Sequence, residues 1–192
     1  MSGVYHEGMR RLQDRFDSRR LADRLDEKLG RGTFTPEDRA FIESRTLFFL
    51  ATADAEGRPD CSFKGGDPGF VRVTAPDELA FPSYDGNGMF RSLGNVLVNP
   101  AVALLFIDFE NPKRLRVNGR AALLLEDALL QAFEGAQAMV RVRAERIFPN
   151  CPRYIPRMSL VEPSPYVPRP GYEPPAPKWK TFDAFKDVLP KS

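Results

Sequence analysis

The chain has 192 residues, 42% hydrophobic and 28% charged, with 28 Lys plus Arg against 26 Asp plus Glu for a net charge of +2. That length suits one domain with added segments and a core that needs no disulfide staples. The balanced charge, without a basic stripe interleaved with aromatics, gives no reason to expect nucleic acid or a membrane surface as partner, and apolar runs such as Ala101–Ile107 are far too short to span a bilayer.

From the N-terminus, Leu12, Phe16, Leu21, Leu25 and Leu29 recur at near-helical spacing among Arg and Asp, which predicts one helix over Gly8–Leu29, ended by Gly30 and Gly32. Thr35-Pro36-Glu37-Asp38 starts a second helix, with Thr35 as cap, Pro36 in the first turn and acids at the positive dipole end; Phe41 and Ile42 point inward. Four short strands follow: Thr46–Ala53, Pro59–Lys64, Phe70–Val73 and Glu78–Phe81. Asp54–Gly57, a type II turn at Asp67-Pro68-Gly69 and Ala75–Asp77 join them into an expected antiparallel meander. The loop Asp85–Gly88 leads to a helix over Met89–Val98 with an apolar stripe of Met89, Leu93, Val96 and Leu97, stopped by Asn99-Pro100. Then come a core strand Ala101–Ile107, a turn at Asn111-Pro112 and a long strand Arg114–Leu125 with a bulge expected at Asn118-Gly119. A short helix Glu126–Gly135 and a strand Gln137–Phe148 complete the series.

From Phe148 onward proline is too dense for helix or internal strand. Tyr154, Tyr166, Tyr172 and Trp179 carry much aromatic surface for a loose tail, so this segment is expected to drape over the barrel or over a partner subunit. The reading divides the chain into a helical extension (1–34), a β-barrel domain (35–150) and a Pro-rich extension (151–192). Its fold class is mainly β and antiparallel with peripheral helices.

Several residue types bear on chemistry. The single histidine, His6, stands near the N-terminus and reads as an exposed surface residue, which sets aside His-based triads and His-ligated metals. Cys61 and Cys151 lie in no CxxC or Cys/His pattern, so no zinc site is expected. Two unrelated thiols and no apolar leader suit a reduced, cytoplasmic protein. Cys61, within a strand, reads as buried and inert; Cys151, between Asn150 and Pro152, reads as exposed. An anion site needs charge-assisted donors beside a helix N-terminus, and Asn87, Gly88, Arg91 and Ser92 supply that combination. Lys64 before Gly65-Gly66 adds a point charge with exposed backbone N–H groups, and Arg116 follows in the long strand. Single basic residues are ordinarily solvated, and GGDPG is ordinarily a hairpin turn. Neither GxGxxG after a strand nor GxxxxGK[ST] occurs, so the Rossmann and P-loop readings fail.

The order of these fragments resembles a known family. FIESRTLFFLATADAEGRPDCSFKGGDPGFVRV is similar to the opening of the pyridoxamine 5′-phosphate oxidase-like FMN-binding proteins. GNGMFRSLGNVLVNPAVALLFID resembles their cofactor helix and following strand, and LRVNGRA their basic strand. The resemblance runs from about Phe41 to Ala122, and RIFPNCPRYI is similar to the tail of a bacterial subgroup. It implies a split β-barrel that forms a homodimer with two FMN sites at the subunit interface. By resemblance, Lys64, Arg91, Ser92 and Arg116 would hold the FMN phosphate and ribityl chain. Phe63, with the backbone of Ser62 and Gly65, would lie along the flavin. Asn87 and Asn95 are further cofactor-binding assignments, and Arg153 and Tyr154 would approach from the other subunit. True pyridoxamine phosphate oxidases end in a Trp–Arg–Leu–Pro type signature; KWKTFDAFKDVLPKS keeps Trp179 and Pro190 without that spacing or those arginines, so the resemblance does not extend to that substrate.

The expected activity is FMN-dependent oxidoreduction with an unnamed small-molecule substrate. Flavin chemistry needs no catalytic acid or base from the protein, in keeping with the lack of a triad, and Arg153 would stabilise the reduced anionic ring. Two other readings use the same barrel. One is a non-catalytic flavin carrier, sensor or haem-handling protein, although His6 is a poor axial ligand. The other is an F420-dependent reductase, whose polyanionic cofactor tail would need a basic groove; Arg141, Arg143 and Arg146 are the candidates to line it, against the plainer reading of a solvated strand face.

Overall fold

The structure, a computed structural model, describes residues 4–190; the outermost residues of the two expected extensions, 1–3 and 191–192, lie outside it. Its elements are helices α1 (Glu7–Arg15), α2 (Arg19–Leu29), α3 (Pro36–Glu43) and α4 (Arg91–Val98), and strands β1 (Leu47–Ala53), β2 (Pro59–Gly65), β3 (Arg72–Ala75), β4 (Glu78–Tyr84), β5 (Ala101–Asp108), β6 (Lys113–Leu124) and β7 (Ala136–Asn150). The seven strands form one antiparallel sheet in the order β2-β1-β5-β6-β7-β4-β3. Among the described residues, no helix is long and apolar enough to cross a membrane.

This order corrects the expected meander. β1–β2 and β3–β4 are hairpins, but β2 and β3 are the two opposite edges of the sheet. Local turn signals identify hairpins and carry no information on which hairpins sit side by side. The sheet nevertheless curls: Phe48 on β1 packs edge-on against Phe81 on β4, with ring centroids 4.9 Å apart, although three strands separate β1 from β4 in the order. Phe48 also meets Phe106 at 5.1 Å and Phe70 at 5.9 Å. Leu50, Leu79, Leu104, Val117, Met139 and Ile147 fill the rest of this interior. The alternating pleat produces it, since β5 and β6 bury every second residue.

α3 forms as its sequence dictates. Thr35 Oγ1 accepts from the Asp38 N–H at 3.2 Å, the Asp38 carboxylate accepts from the Thr35 N–H at 3.0 Å, and Phe41 and Ile42 enter the core. Gly69 takes φ +88° in the Asp67–Phe70 turn, the conformation a type II turn requires there. The register shifts between Asn118 and Gly119, where a Cβ on Gly119 would collide with the Arg143 carbonyl, so this close approach to β7 requires glycine.

Other expectations need correction. The single helix over Gly8–Leu29 is two, broken at Asp17, whose φ is +49°. Arg19 bridges the break by a fork onto Asp14 at 2.6 and 2.7 Å, and the apolar step across it, Phe16 to Leu21, is five residues where its neighbours are four. Glu126–Gly135 holds only a 3₁₀ turn at Leu130–Ala132, because Asp127 is pinned to Arg141 and Phe133 is drawn into the core. The third strand starts at Arg72, not Phe70, and the fourth runs on to Tyr84. β7 extends through Pro149 to Asn150, past the end of its pairing with β4, with β6 on one side and Arg31 bridging Ile147 on the other. α4 begins at Arg91, so Met89 lies outside it and is exposed, as is Leu97; only Leu93 and Val96 of the expected stripe are buried. Cys61 is exposed on the edge strand β2, not buried, and Cys151 is exposed too; both are free thiols.

Among the described residues of the 1–34 segment, α1 and α2 bury no residue. The segment is tied to β7 by an ion pair between Asp26 and Arg146 and by backbone hydrogen bonds between Arg31 and Ile147. The Pro-rich segment runs over this chain's own barrel. The Met158 N–H donates to the Phe109 carbonyl at 3.0 Å, Arg169 forks onto Asp67 at 2.5 and 2.7 Å, and Lys180 reaches Asp85 at 2.7 Å.

Candidate functional site

β2 is a half-buried edge strand whose side chains alternate. Asp60, Ser62 and Lys64 turn to one face, where α4 begins; Cys61 and Phe63 turn to the other. Phe90 caps α4 in a left-handed conformation, φ +48°, with no side-chain cap bond, so the first N–H groups of α4 have no side-chain acceptor from the cap residue. The two features make a cleft of about 260 Å³ lined by Ser62, Lys64, Asn87, Arg91 and Ser92 together with Asp60, Tyr84 and Gly88. A second hollow of about 250 Å³ adjoins it, sharing Lys64, Ser83 and Tyr84 and adding Phe63 and Gly65.

The polar contacts in the cleft form one chain. The buried Ser92 hydroxyl lies 2.9 Å from an Asp60 carboxylate oxygen and 2.9 Å from the Ser62 hydroxyl, so it donates to Asp60 and accepts from Ser62. Arg91 Nε approaches Asp60 at 3.4 Å, with two-thirds of its side chain exposed. Burial pushes the Lys64 ammonium below the ordinary lysine value, and the nearby Asp60 charge opposes that shift only in part. Among the described residues, no carboxylate lies within ion-pair distance of Lys64. Burial also raises the Tyr84 phenol, with Asp67 adding to the rise, so this residue stays a neutral donor. The Asn87 side chain accepts from the Met89 N–H at 3.0 Å and shapes the loop.

Of the residues singled out from the sequence, the cleft brings together Ser62, Lys64, Asn87, Arg91 and Ser92, and the adjoining hollow takes in Phe63 and Gly65. Phe63 projects from the opposite face of β2 and packs edge-on to Phe49, with centroids 6.3 Å apart. Asn95 lies deeper along α4, where its amide donates to Thr52 Oγ1 at 3.0 Å and fastens the helix to β1. Arg116 sits on the exposed face of β6 over the Phe148 ring, at 5.9 Å. Arg153 and Tyr154 follow β7, with Tyr154 92% exposed. This chain alone brings none of these last four to the cleft.

Two cleft residues escaped the sequence reading, Asp60 and Tyr84. Asp60 had a signal: the two-residue period that places Lys64 and Ser62 on one face places Asp60 with them. Tyr84 lies three residues past the expected end of its strand and had none.

The donors fit a phosphate: one half-buried ammonium, one guanidinium, two hydroxyls and an open helix N-terminus meet in one hollow. Asp60 is the discordant group, a carboxylate among them.

Comparison with known proteins places the fold. The sequence model of a family described as pyridoxamine 5′-phosphate oxidase matches residues 34–162. The Group A Streptococcus protein HupZ is 22% identical over 66% of this chain and 99% of its own, with a TM-score of 0.50. A putative pyridoxamine 5′-phosphate oxidase from Lactobacillus delbrueckii is 23% identical over 62% of this chain and 95% of its own, also at 0.50. No curated protein matches the chain. The split β-barrel expected from the resemblance is the fold of this chain.

Proposed function

The chain belongs to the pyridoxamine 5′-phosphate oxidase family, and from that premise we propose that it is an FMN-dependent oxidoreductase acting on a small molecule as a cytoplasmic homodimer. The observation that carries the proposal is the cleft at the start of α4, where Lys64, Arg91, Ser62 and Ser92 converge. Lys64 and Arg91 would hold the phosphate, Ser62 and Ser92 would position it, and Tyr84 would donate from the wall shared by the two hollows. A bound flavin supplies the two-electron chemistry itself. The protein's part is to bind, orient and exclude water, which agrees with a site rich in donors. Pyridoxamine phosphate is not the proposed substrate, since the C-terminal residues lack the arginine pattern for it.

Two observations support the dimer reading. The outward residues of β1 and β5, including Leu47, Phe49, Leu105 and Ile107, make an apolar sheet surface that is only partly covered, and Phe63 beside it is 61% exposed. Arg116, Arg153 and Tyr154 stand outside this chain's own cleft, as residues that complete a partner's site must.

The test is the visible absorption spectrum of the purified protein, then reconstitution with FMN followed by gel filtration. Flavin bands that elute with a dimer, stoichiometric with the chain, support the reading. A protein that comes out colourless and takes up no FMN overturns it.

A further inference from the structure

The largest hollow of those described is separate from the cofactor cleft but shares a wall with it. It has a volume of about 760 Å³, within the range of small-molecule sites, and Tyr84 borders both spaces. The barrel supplies its floor, with Asp85 and Glu134; the Pro-rich segment from Tyr166 to Lys180 supplies its outer wall. That wall is fastened at two points on the barrel, Arg169 on Asp67 and Lys180 on Asp85. The Tyr172 hydroxyl donates to the Pro165 carbonyl at 3.0 Å, which fixes its ring in the wall.

The charges in this hollow are unequal. Both of its cations, Arg169 and Lys180, are engaged by carboxylates of this chain. Glu134 and Glu173 also line it, and among the described residues neither has a cation within ion-pair distance. An apolar space with aromatic rings and uncompensated carboxylates selects a flat apolar body that carries a positive group, and repels its anionic counterpart. We infer that the Pro-rich C-terminal segment and the barrel together form a binding pocket for an aromatic or hydrophobic amine, set against the wall of the cofactor cleft. Calling this ligand the substrate rests on the flavin reading above; the pocket itself does not.

The matched probes are 4-phenylbutylamine and 4-phenylbutyrate, which share a body and differ in charge. Each is titrated calorimetrically into the FMN-treated full-length protein, with the flavin absorbance of the same sample recorded. The expected result is saturable binding of the amine and binding of the carboxylate weaker by about tenfold or more. In the double variant Glu134→Gln with Glu173→Gln, amine binding should fall by about fivefold, the scale of two partly exposed ion pairs, with flavin content unchanged. Both replaced side chains are on the surface, so the fold is not at stake. Equal binding of the two probes, no saturable binding of either, or a double variant that binds the amine as tightly as the parent overturns the proposal. Selective amine binding by a protein that holds no flavin upholds the pocket and defeats the flavin reading alone.

Discussion

The arginines on β7 and the basic residues that meet where α4 begins, Lys64 on β2 and Arg91, look alike as sequence, yet the structure pairs them to different degrees. Arg141 is clasped by Asp127 and Glu78, both at 2.6 Å, Arg143 meets Asp77 at 3.2 Å, and Arg146 pairs with Asp26. At the cleft, Arg91 touches Asp60 only at 3.4 Å, and Lys64, desolvated by burial, has no carboxylate within ion-pair distance among the described residues. A positive charge closely paired within its own chain is less available to an outside anion than one weakly paired or unpaired in a hollow. The row on β7 is thus largely engaged by carboxylates of its own chain, whereas the cations beside α4 form the candidate phosphate site.

The largest effect should come from breaking the matched set. Arg141→Ala strands the Asp127 carboxylate, whose side chain is 2% exposed, and should cost about 3 kcal/mol in urea unfolding, with FMN uptake per folded molecule unchanged. The hydrogen bond from Arg141 comes first, then the Leu129 N–H, in holding Asp127 below its ordinary value of 3.8. A carboxyl depressed in the folded state stabilises the protein above its unfolded value and loses that contribution as pH falls through the folded one. The variant should therefore lose less stability than the parent between neutral pH and acid; an equal loss in both would show that Asp127 is not the group involved.

Breaking the unmatched set should do the reverse. Lys64→Ala is expected to weaken FMN binding about tenfold, the scale of one charge-assisted hydrogen bond, and to leave the urea midpoint unchanged or slightly raised, since it removes a desolvated charge. Burial lowers the Lys64 pKa, so its positive charge is lost as pH rises below the 10.5 of an ordinary lysine. FMN affinity should accordingly decline on the alkaline side in the parent but not in Lys64→Arg, whose guanidinium stays charged. A decline of the same size in both would remove Lys64 from the phosphate site.

How much of this was readable in advance follows the range of the physics. The capping box at Thr35, the turn at Gly69 and the bulge at Gly119 are local, and local chemistry fixes them. The position of β2 and β3 at opposite edges is not local, and neither is the ring of phenylalanines around Phe48 that curls the sheet. The alternation along β2 was available and would have placed Asp60 beside Lys64. The pairing of Arg141 with Asp127 was not, because it depends on a loop that looked helical and on the register between β7 and β4. Cys61 misled for a related reason: strand membership was legible, but edge position, which exposes it, was not.

Asp60 gives the smallest expected effect and the finest test of the comparison. It is a carboxylate inside the candidate phosphate site, its side chain 16% exposed, accepting from Ser92 at 2.9 Å and drawing Arg91 at 3.4 Å. If the α4 cations are available, Asp60 competes with a phosphate for them, and its charge repels the newcomer. Asp60→Asn keeps an acceptor for the Ser92 hydroxyl while removing the charge, so FMN should bind about threefold tighter, the scale of one partly exposed ion pair. Riboflavin, which has the ring and no phosphate, should bind as before. If Asp60 instead holds Arg91 in place, as the carboxylates on β7 hold their arginines, Asp60→Asn should weaken FMN binding, and the two sets of basic residues would differ in degree rather than in kind.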